Sequence, residues 1–563
     1  SSCNGGATGG SQGDDGGSQR RPGVIEPVEN RSPFGSFLSG RFAERQRDFA
    51  RAAASLNRAL EEQPENLGLK RRAFYVSLRS GRTDTALTLA KELNEANLGV
   101  STAQLLLAAQ SVKEGDFPAA ISILDAMERN EIARYAVPLA LAWARAGANN
   151  TRGALAALAA LDESTGFGPL RRMHEGLIND LAENNQAAER SYRESLGGDP
   201  GSAPVRVVRT LGGFLERAGR KDEAEALYRG YRGRDFDGLL FEADLARVAE
   251  GSIPERVIAD SRAGMAESFF DIASVLPKER AGEIVLLYVH LALYLKPDFP
   301  LAQVLLGEVL DSYERFGEAV EIYRNINPDS PYGWIARLRM ADDLYDLGKV
   351  NAAATVLRGM GRERPERSDA LIRLGNIMRY EERYGEAITV YDQAVERLGT
   401  VERNNWSLLY SRGIALERAG KWERAEQDFL HALELEPDQP YVLNYLGYSW
   451  VEKGINLQRA KKMLESAVAQ RQDDGYIIDS MGWALYQLKE YREAVSHLER
   501  AVELLPQDPV LNVHLGDAYW RVGRAGEARI QWRRVLGLDP EADLEKSAGK
   551  KLKRGLPNPG TAG

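Results

Sequence analysis

Five histidines, one cysteine and a few adjacent carboxylates are the side chains best suited to chemistry in this 563-residue chain. The histidines are His174, His290, His431, His497 and His514. None has a second His or Cys at the spacing that lets two ligands reach one metal ion. His431 and His497 fall beside apolar stripes, where an imidazole packs rather than ligates. Glu381–Glu382 and Asp342–Asp343 are paired acids, and such pairs on helices face solvent. No GxxxxGK[ST] loop, HExxH motif or GxSxG elbow occurs. The residue types therefore point to no catalytic group, no cofactor, no metal and no small-molecule substrate.

Cys3 is a different case. It is the only cysteine, which excludes an intramolecular disulfide. It follows Ser1–Ser2 and opens residues 1–32, which hold eight glycines and almost nothing apolar before Val24. Such a stretch is a linker that cannot fold alone. Two small residues, a cysteine and a polar tether resemble the end of a bacterial lipoprotein signal. On that resemblance Cys3 carries a lipid that holds the chain to a membrane.

Aromatic side chains suggest binding. Tyr448, Trp483 and Asp517 directly follow Gly447, Gly482 and Gly516. One helical turn on lie Val451, Tyr486 and Trp520, and one turn back lie Asn444 and Asp479. Tyr476 opens its helix. Asn444, Tyr448, Tyr476, Asp479, Trp483, Tyr486, Asp517 and Trp520 thus form a stripe of rings, amides and acids suited to holding a peptide. Trp450 and Tyr519, three residues after their glycines, are assigned to the core instead. A clamp for a terminal carboxylate needs Lys or Arg along this stripe, and only Arg521 is near.

A repeat must position that stripe. Gly413, Gly447, Gly482 and Gly516 are 34, 35 and 34 residues apart. Ala425, Ala460, Ala494 and Ala528 follow them, each with a large apolar residue four places later: Phe429, Leu464, Leu498 and Trp532. Pro437, Pro506 and Pro540 end three units, because proline cannot continue a helix. Period and residue order resemble the tetratricopeptide repeat. That resemblance implies paired helices, with small residues at the crossings, stacked into an all-α right-handed superhelix. One pair cannot bury its apolar face alone, so neighbours stack into a solenoid whose concave surface binds other chains.

The step extends upstream. Ala52, Ala86, Ala120, Ala154 and Ala188 are 34 apart. It breaks after Gly212 and resumes with Ala273, Gly307, Ala341 and Gly375. The reading is a linker at 1–32, an N-terminal arm at 33–234, an irregular helical insertion at 235–265, a C-terminal arm at 266–540, and a capping helix with a basic tail at 541–563. In all there are about fourteen repeats. Net charge is −9, which argues against nucleic acid as a partner. No apolar run of membrane-spanning length occurs.

The segments Asp479–Tyr486, Asn444–Tyr448 and Gly264–Asp271 (GMAESFFD) resemble a group of large periplasmic tetratricopeptide lipoproteins of Gram-negative bacteria. The nearest are adaptors that bind a carboxyl-terminal processing serine protease and present cell-wall hydrolases to it. The resemblance implies a non-catalytic scaffold, anchored through Cys3 to the outer membrane, with a protease as partner. The alternative function is a scaffold for assembling or secreting a polysaccharide, pilus or envelope complex. The alternative location is the cytoplasm.

Overall fold

The computed structural model describes residues 32–161, 167–197, 201, 203–231 and 241–557. Cys3 and the rest of 1–31 lie outside the described residues. Among the described residues the chain is helical, with no strand.

The repeat step has a structural origin in the turn inside each pair. Helices Pro33–Arg45 and Phe49–Glu61 are joined by Arg47, which adopts a left-handed conformation. The same conformation recurs at Gly81, Gly115, Asn149 and Glu183, and again at Glu314, Gly348 and Glu382. Glycine suits this position, and other residues there cost about 1 kcal/mol. Several second helices then open on a side-chain cap. Asp48 accepts from the Arg51 N–H at 3.0 Å and Asn150 from Gly153 at 2.8 Å. Each such cap contributes about 1 kcal/mol.

The repeat glycine makes room mainly for the large residue of the second helix rather than for the alanine. A methyl built on Gly176, Gly212, Gly307 or Gly375 would lie 2.2–2.5 Å from the ring of Tyr192, Tyr228, Tyr323 or Tyr391. Gly413 faces Phe429, Gly482 faces Leu498 and Gly516 faces Trp532 in the same way. The alanines Ala52, Ala86, Ala425 and Ala494 are fully buried beside these contacts.

The described chain divides into two compact units, a first of residues 32–356 and a second of residues 357–557. The break in the repeat step at 235–265 is not that boundary. Within the first unit, helices Ser261–Ser274 and Lys278–Leu295 fold back onto the first helices of the early repeats, Leu67–Arg79, Ser101–Glu114 and Ala133–Gly147. One hydrophobic cluster runs from Ala43 to Val309. Gly264 lies flat on Trp143, and His290 sits over Gly81. Arg206 pairs with the buried Glu267, Arg79 with Glu283 at 2.9 Å, and Arg315 with Asp48 at 3.1 Å. Burial pushes the His290 imidazole down to about 4, so it packs as a neutral ring. The intervening segment holds helix Glu242–Glu250, tied by Arg209–Asp244 at 2.9 Å and Arg247–Glu216 at 2.7 Å.

In the second unit the Ala542–Arg554 helix closes the last repeat. Ala548 is buried with Val513 and Val535. Lys551, in the tail read from sequence as basic, reaches the buried Asp517 at 2.6 Å.

Candidate functional site

Three first helices of the second unit carry the aromatic stripe: Pro440–Lys453, Gly475–Gln487 and Pro509–Arg521. Its centre is a stack of three rings. Trp483 lies on Tyr486 with centroids 4.7 Å apart and planes at 5°. On its other face is the His514 imidazole, at 4.1 Å and 15°. The Trp483 indole N–H donates to Glu452 Oε1 at 2.6 Å, and Arg521 Nε donates to the Tyr486 hydroxyl at 3.2 Å. Trp483 and Tyr486 are half-buried, each held from its polar end with apolar surface left to solvent.

Beneath the stack is a buried charge. Asp479 is 2% exposed and its two oxygens lie 3.0 and 2.9 Å from His514 Nδ1. Burial alone would lower the histidine, but the Asp479 carboxylate beside it prevails and raises it above its ordinary value. His514 is therefore held toward its protonated form, in which it donates to Asp479 and presents a cationic face to Trp483.

The remaining stripe residues divide between binding surface and interior. Asp517 is buried; it accepts from Trp532 Nε1 at 2.9 Å and from Lys551. Trp520 is half-buried, tilted on Trp532 at 5.5 Å, with the Arg529 guanidinium 5.1 Å from its ring centre. Tyr448 is 9% exposed. Asn444, Tyr445, Tyr448, Glu452, Glu417 and Arg418 line a cleft of about 230 Å³. Asn444 Oδ1 is buried there without a hydrogen-bond partner. Tyr476 is half-buried at the start of its helix, where its N–H donates to Asp474. Trp450 and Tyr519 are buried, at 1% and 7% exposure.

Asp479 and Asp517 therefore shape the stripe from below rather than offering contacts. The residues that sequence reasoning missed are His514, Glu452 and Lys551. His514 is the one hint: it interrupts the otherwise apolar run Val510–Leu515 together with Asn512. His431 does not pack as expected; it is exposed. Two further histidines pack inside the fold: His174 is fully buried and accepts from Trp143 Nε1 at 3.0 Å, and His290, on the Lys278–Leu295 helix, is half-buried against Gly81. Asp343, expected at the surface beside Asp342, is buried.

Nothing on this face is arranged to make or break a covalent bond. It offers ring faces and fixed charges, which suits recognition of another chain. Two tetratricopeptide-repeat family models match this region, one over residues 406–439 and the other over 338–402 and 480–543. The chain is 27% identical over 218 residues to the TPR repeat-containing protein PA4667 of Pseudomonas aeruginosa. That alignment covers 38% of this chain and 35% of the relative, so the chain spans about a third of its length. Solved structures with similar helical arrays include Cut9 in the APC/C hetero-tetramer Cut9–Hcn1, at 18% identity, 92% and 96% coverage and a TM-score of 0.38. Yeast Tom70 is similar at 14% identity, 92% and 95% coverage and a TM-score of 0.31. Helix pairs on a 34-residue step, the glycine-to-large-residue crossings and the repeat-model matches at 338–402, 406–439 and 480–543 show that this all-α chain carries tetratricopeptide repeats.

Proposed function

We propose that the chain is a lipid-anchored periplasmic adaptor that captures a carboxyl-terminal processing serine protease and presents substrates such as cell-wall hydrolases to it. The stack of His514, Trp483 and Tyr486 supports the docking part of this reading: it is rigid, apolar on its open side and satisfied at its polar ends. Rigid aromatic anchors of this kind dominate interface energies. The resemblance of Asp479–Tyr486, Asn444–Tyr448 and Gly264–Asp271 to adaptor lipoproteins supports the choice of partner. The lone Cys3 ahead of a glycine-rich tether supports the anchor. One acyl chain holds a membrane only marginally, so the anchor would carry more than one.

The test is affinity purification from native membranes with wild type and Trp483→Ala in parallel, read by mass spectrometry. A serine peptidase captured by wild type and depleted roughly thirtyfold by the variant is the expected result, corresponding to about 2 kcal/mol for an aromatic anchor. Export or polysaccharide-assembly components in its place would favour the assembly scaffold. Undiminished capture by the variant would remove the docking face. Separately, Cys3→Ser in the full precursor should release the protein from the membrane fraction, and continued retention would remove the anchor.

A further inference from the structure

We propose that a cleft between the first two helix pairs docks an acidic segment of a partner protein, with Arg71 and Arg72 taking its carboxylates and Phe34, Phe37 and Tyr75 its apolar side chains. The proposal rests neither on the protease reading nor on the aromatic stripe of the second unit.

The cleft has a volume of about 550 Å³. Its sides are helices Pro33–Arg45 and Leu67–Arg79, the first helices of successive repeats. Phe34 and Phe37 line it from one helix and Tyr75 from the other. Phe34 is 68% exposed and Arg71 is exposed, so the cleft opens to solvent. The folded-back Lys278–Leu295 helix reaches Leu67–Arg79 at its C-terminal end, through Arg79–Glu283 at 2.9 Å and through His290 over Gly81. The cleft extends back along the earlier turns to Gly68.

The apolar surface continues past the cleft. Leu38 and Phe42 follow Phe34 at steps of four, on the same side of the helix, and are 50% and 65% exposed. The three residues span about 12 Å along the helix axis. A small molecule seated in the cleft would leave Leu38 and Phe42 in water, whereas a segment of chain covers them as well. Single exposed apolar residues are ordinary, but a contiguous patch marks a surface that meets another chain.

The charges select the partner. Arg71, Arg72 and Arg79 line the cleft against one carboxylate, Glu44. Glu44 stands 3.8 Å from Arg72 and 3.9 Å from Arg79, beyond hydrogen-bond reach. Arg79 is held by Glu283 instead. Arg71 pairs with no carboxylate among the described residues. A basic, aromatic cleft is thus set in a chain whose net charge is −9. A guanidinium donates two parallel N–H bonds to a carboxylate, so Arg71 and Arg72 suit acidic side chains placed beside apolar ones.

A labelled, end-capped Glu-Leu-Glu-Phe-Glu-Leu-Glu peptide is titrated with the full chain by fluorescence anisotropy, against the same peptide with glutamine for glutamate. The chain as a whole repels an acidic peptide, so binding of the glutamate form reads a local basic site. That form should bind about tenfold more tightly than the glutamine form, and its affinity should fall as NaCl is raised from about 50 to about 500 mM. The double variant Arg71→Gln, Arg72→Gln should weaken binding about tenfold or more, and Phe34→Ser by a similar factor. None of the three side chains is in the core, so melting curves should match wild type. Trp483→Ala should bind the peptide as wild type does, which separates this cleft from the aromatic stripe. Failure of the glutamate peptide to bind, or equal binding of the two peptides, would overturn the proposal. So would a double variant with wild-type affinity, or loss of binding in Trp483→Ala. A wild-type dimer that Phe34→Ser converts to a monomer, with no peptide bound, would assign the face to a second copy of this chain and overturn it too.

Discussion

Replacing Gly264 by alanine should destabilise the first unit, although alanine is the better helix former. Gly264 lies mid-helix in Ser261–Ser274, and a methyl there would fall 2.2 Å from Trp143 Cε3 and 2.3 Å from Cδ2. Carbon atoms in contact sit about 3.5–4.0 Å apart, so the helix or the ring must give by more than 1 Å. The ring has nowhere to go. Trp143 is fully buried, and its indole N–H donates to His174 Nδ1 at 3.0 Å. His174 Nε2 in turn lies 3.1 Å from Asp271 Oδ2, on the same helix as Gly264 and off the line of a good hydrogen bond. Overpacking costs roughly 1–3 kcal/mol, and losing the indole bond adds about 1 kcal/mol. The helix preference of alanine over glycine returns about 1 kcal/mol. The net loss should be about 1–3 kcal/mol. Gly447→Ala is the control, because its added methyl meets only the flexible Leu464 side chain at 3.1 Å and the Ala460 carbonyl at 3.3 Å. It should stay within about 1 kcal/mol of wild type. Urea unfolding, with hydrogen exchange read on peptides spanning 133–147 and 261–274, separates the two. A Gly264→Ala protein as stable as wild type would show that these helices do not press together.

Three other outcomes are expected. Ala494→Leu should lower the melting temperature by the equivalent of roughly 1–3 kcal/mol, while Trp483→Ala should lower it much less, because Ala494 is fully buried and Trp483 is half-exposed; thermal melts in the reverse order would mean the faces are misassigned. His514 is raised above its ordinary value, so its contribution is fully present below about pH 6.5 and fades as pH climbs through its folded value. Wild type should therefore lose stability relative to His514→Gln in melts taken from pH 6 upward, and a constant difference would remove the protonated His514–Asp479 pair. Asp343 is raised to about 8 from an ordinary value near 4, so the native state holds more protons than the unfolded one between those limits and stability falls as pH rises across them; Asp343→Asn should flatten that fall in urea titrations at pH 5 and pH 9.

The repeat was legible because it is written locally. A left-handed turn, a glycine and a large residue sixteen places on lie within one helix pair, so the 34-residue step records them directly. Contacts between distant pairs leave no such record. Gly264 and Trp143 are far apart in sequence, and nothing periodic links them. The step resumes cleanly at Ala273, which made Ser261–Ser274 read as the start of a separate arm. Asp343 was misread because adjacent residues on a helix point about 100° apart, so one member of an acidic pair can turn inward while the other does not. Asp479 and Asp517, read from sequence as part of the binding stripe, are buried beneath it. Their burial depends on His514 and Lys551, whose approach comes from a later helix in each case.

The folded-back helices also narrow where a partner can dock. In residues 32–356 the first helices Leu67–Arg79, Ser101–Glu114 and Ala133–Gly147 already meet helices of their own chain, with Phe269, Tyr288 and Leu291 buried among them. A partner would have to displace a continuous apolar core to use that face, at a cost of about 25 cal/mol for each Å² of apolar surface exposed. In residues 357–557 the corresponding face keeps Trp483, Tyr486 and Trp520 partly open. The polar end of Trp483 is bonded to Glu452, so truncation removes an apolar anchor and returns a surface carboxylate to water rather than leaving a buried donor unpaired. Loss of binding without loss of stability is therefore the signature to look for at Trp483. At Trp520 the two should fall together, because the same ring packs on Trp532 and against Gly555 beside the closing helix. A Trp520→Ala protein that loses binding but melts like wild type would place the docking contact further toward the end of the chain than the ring stack.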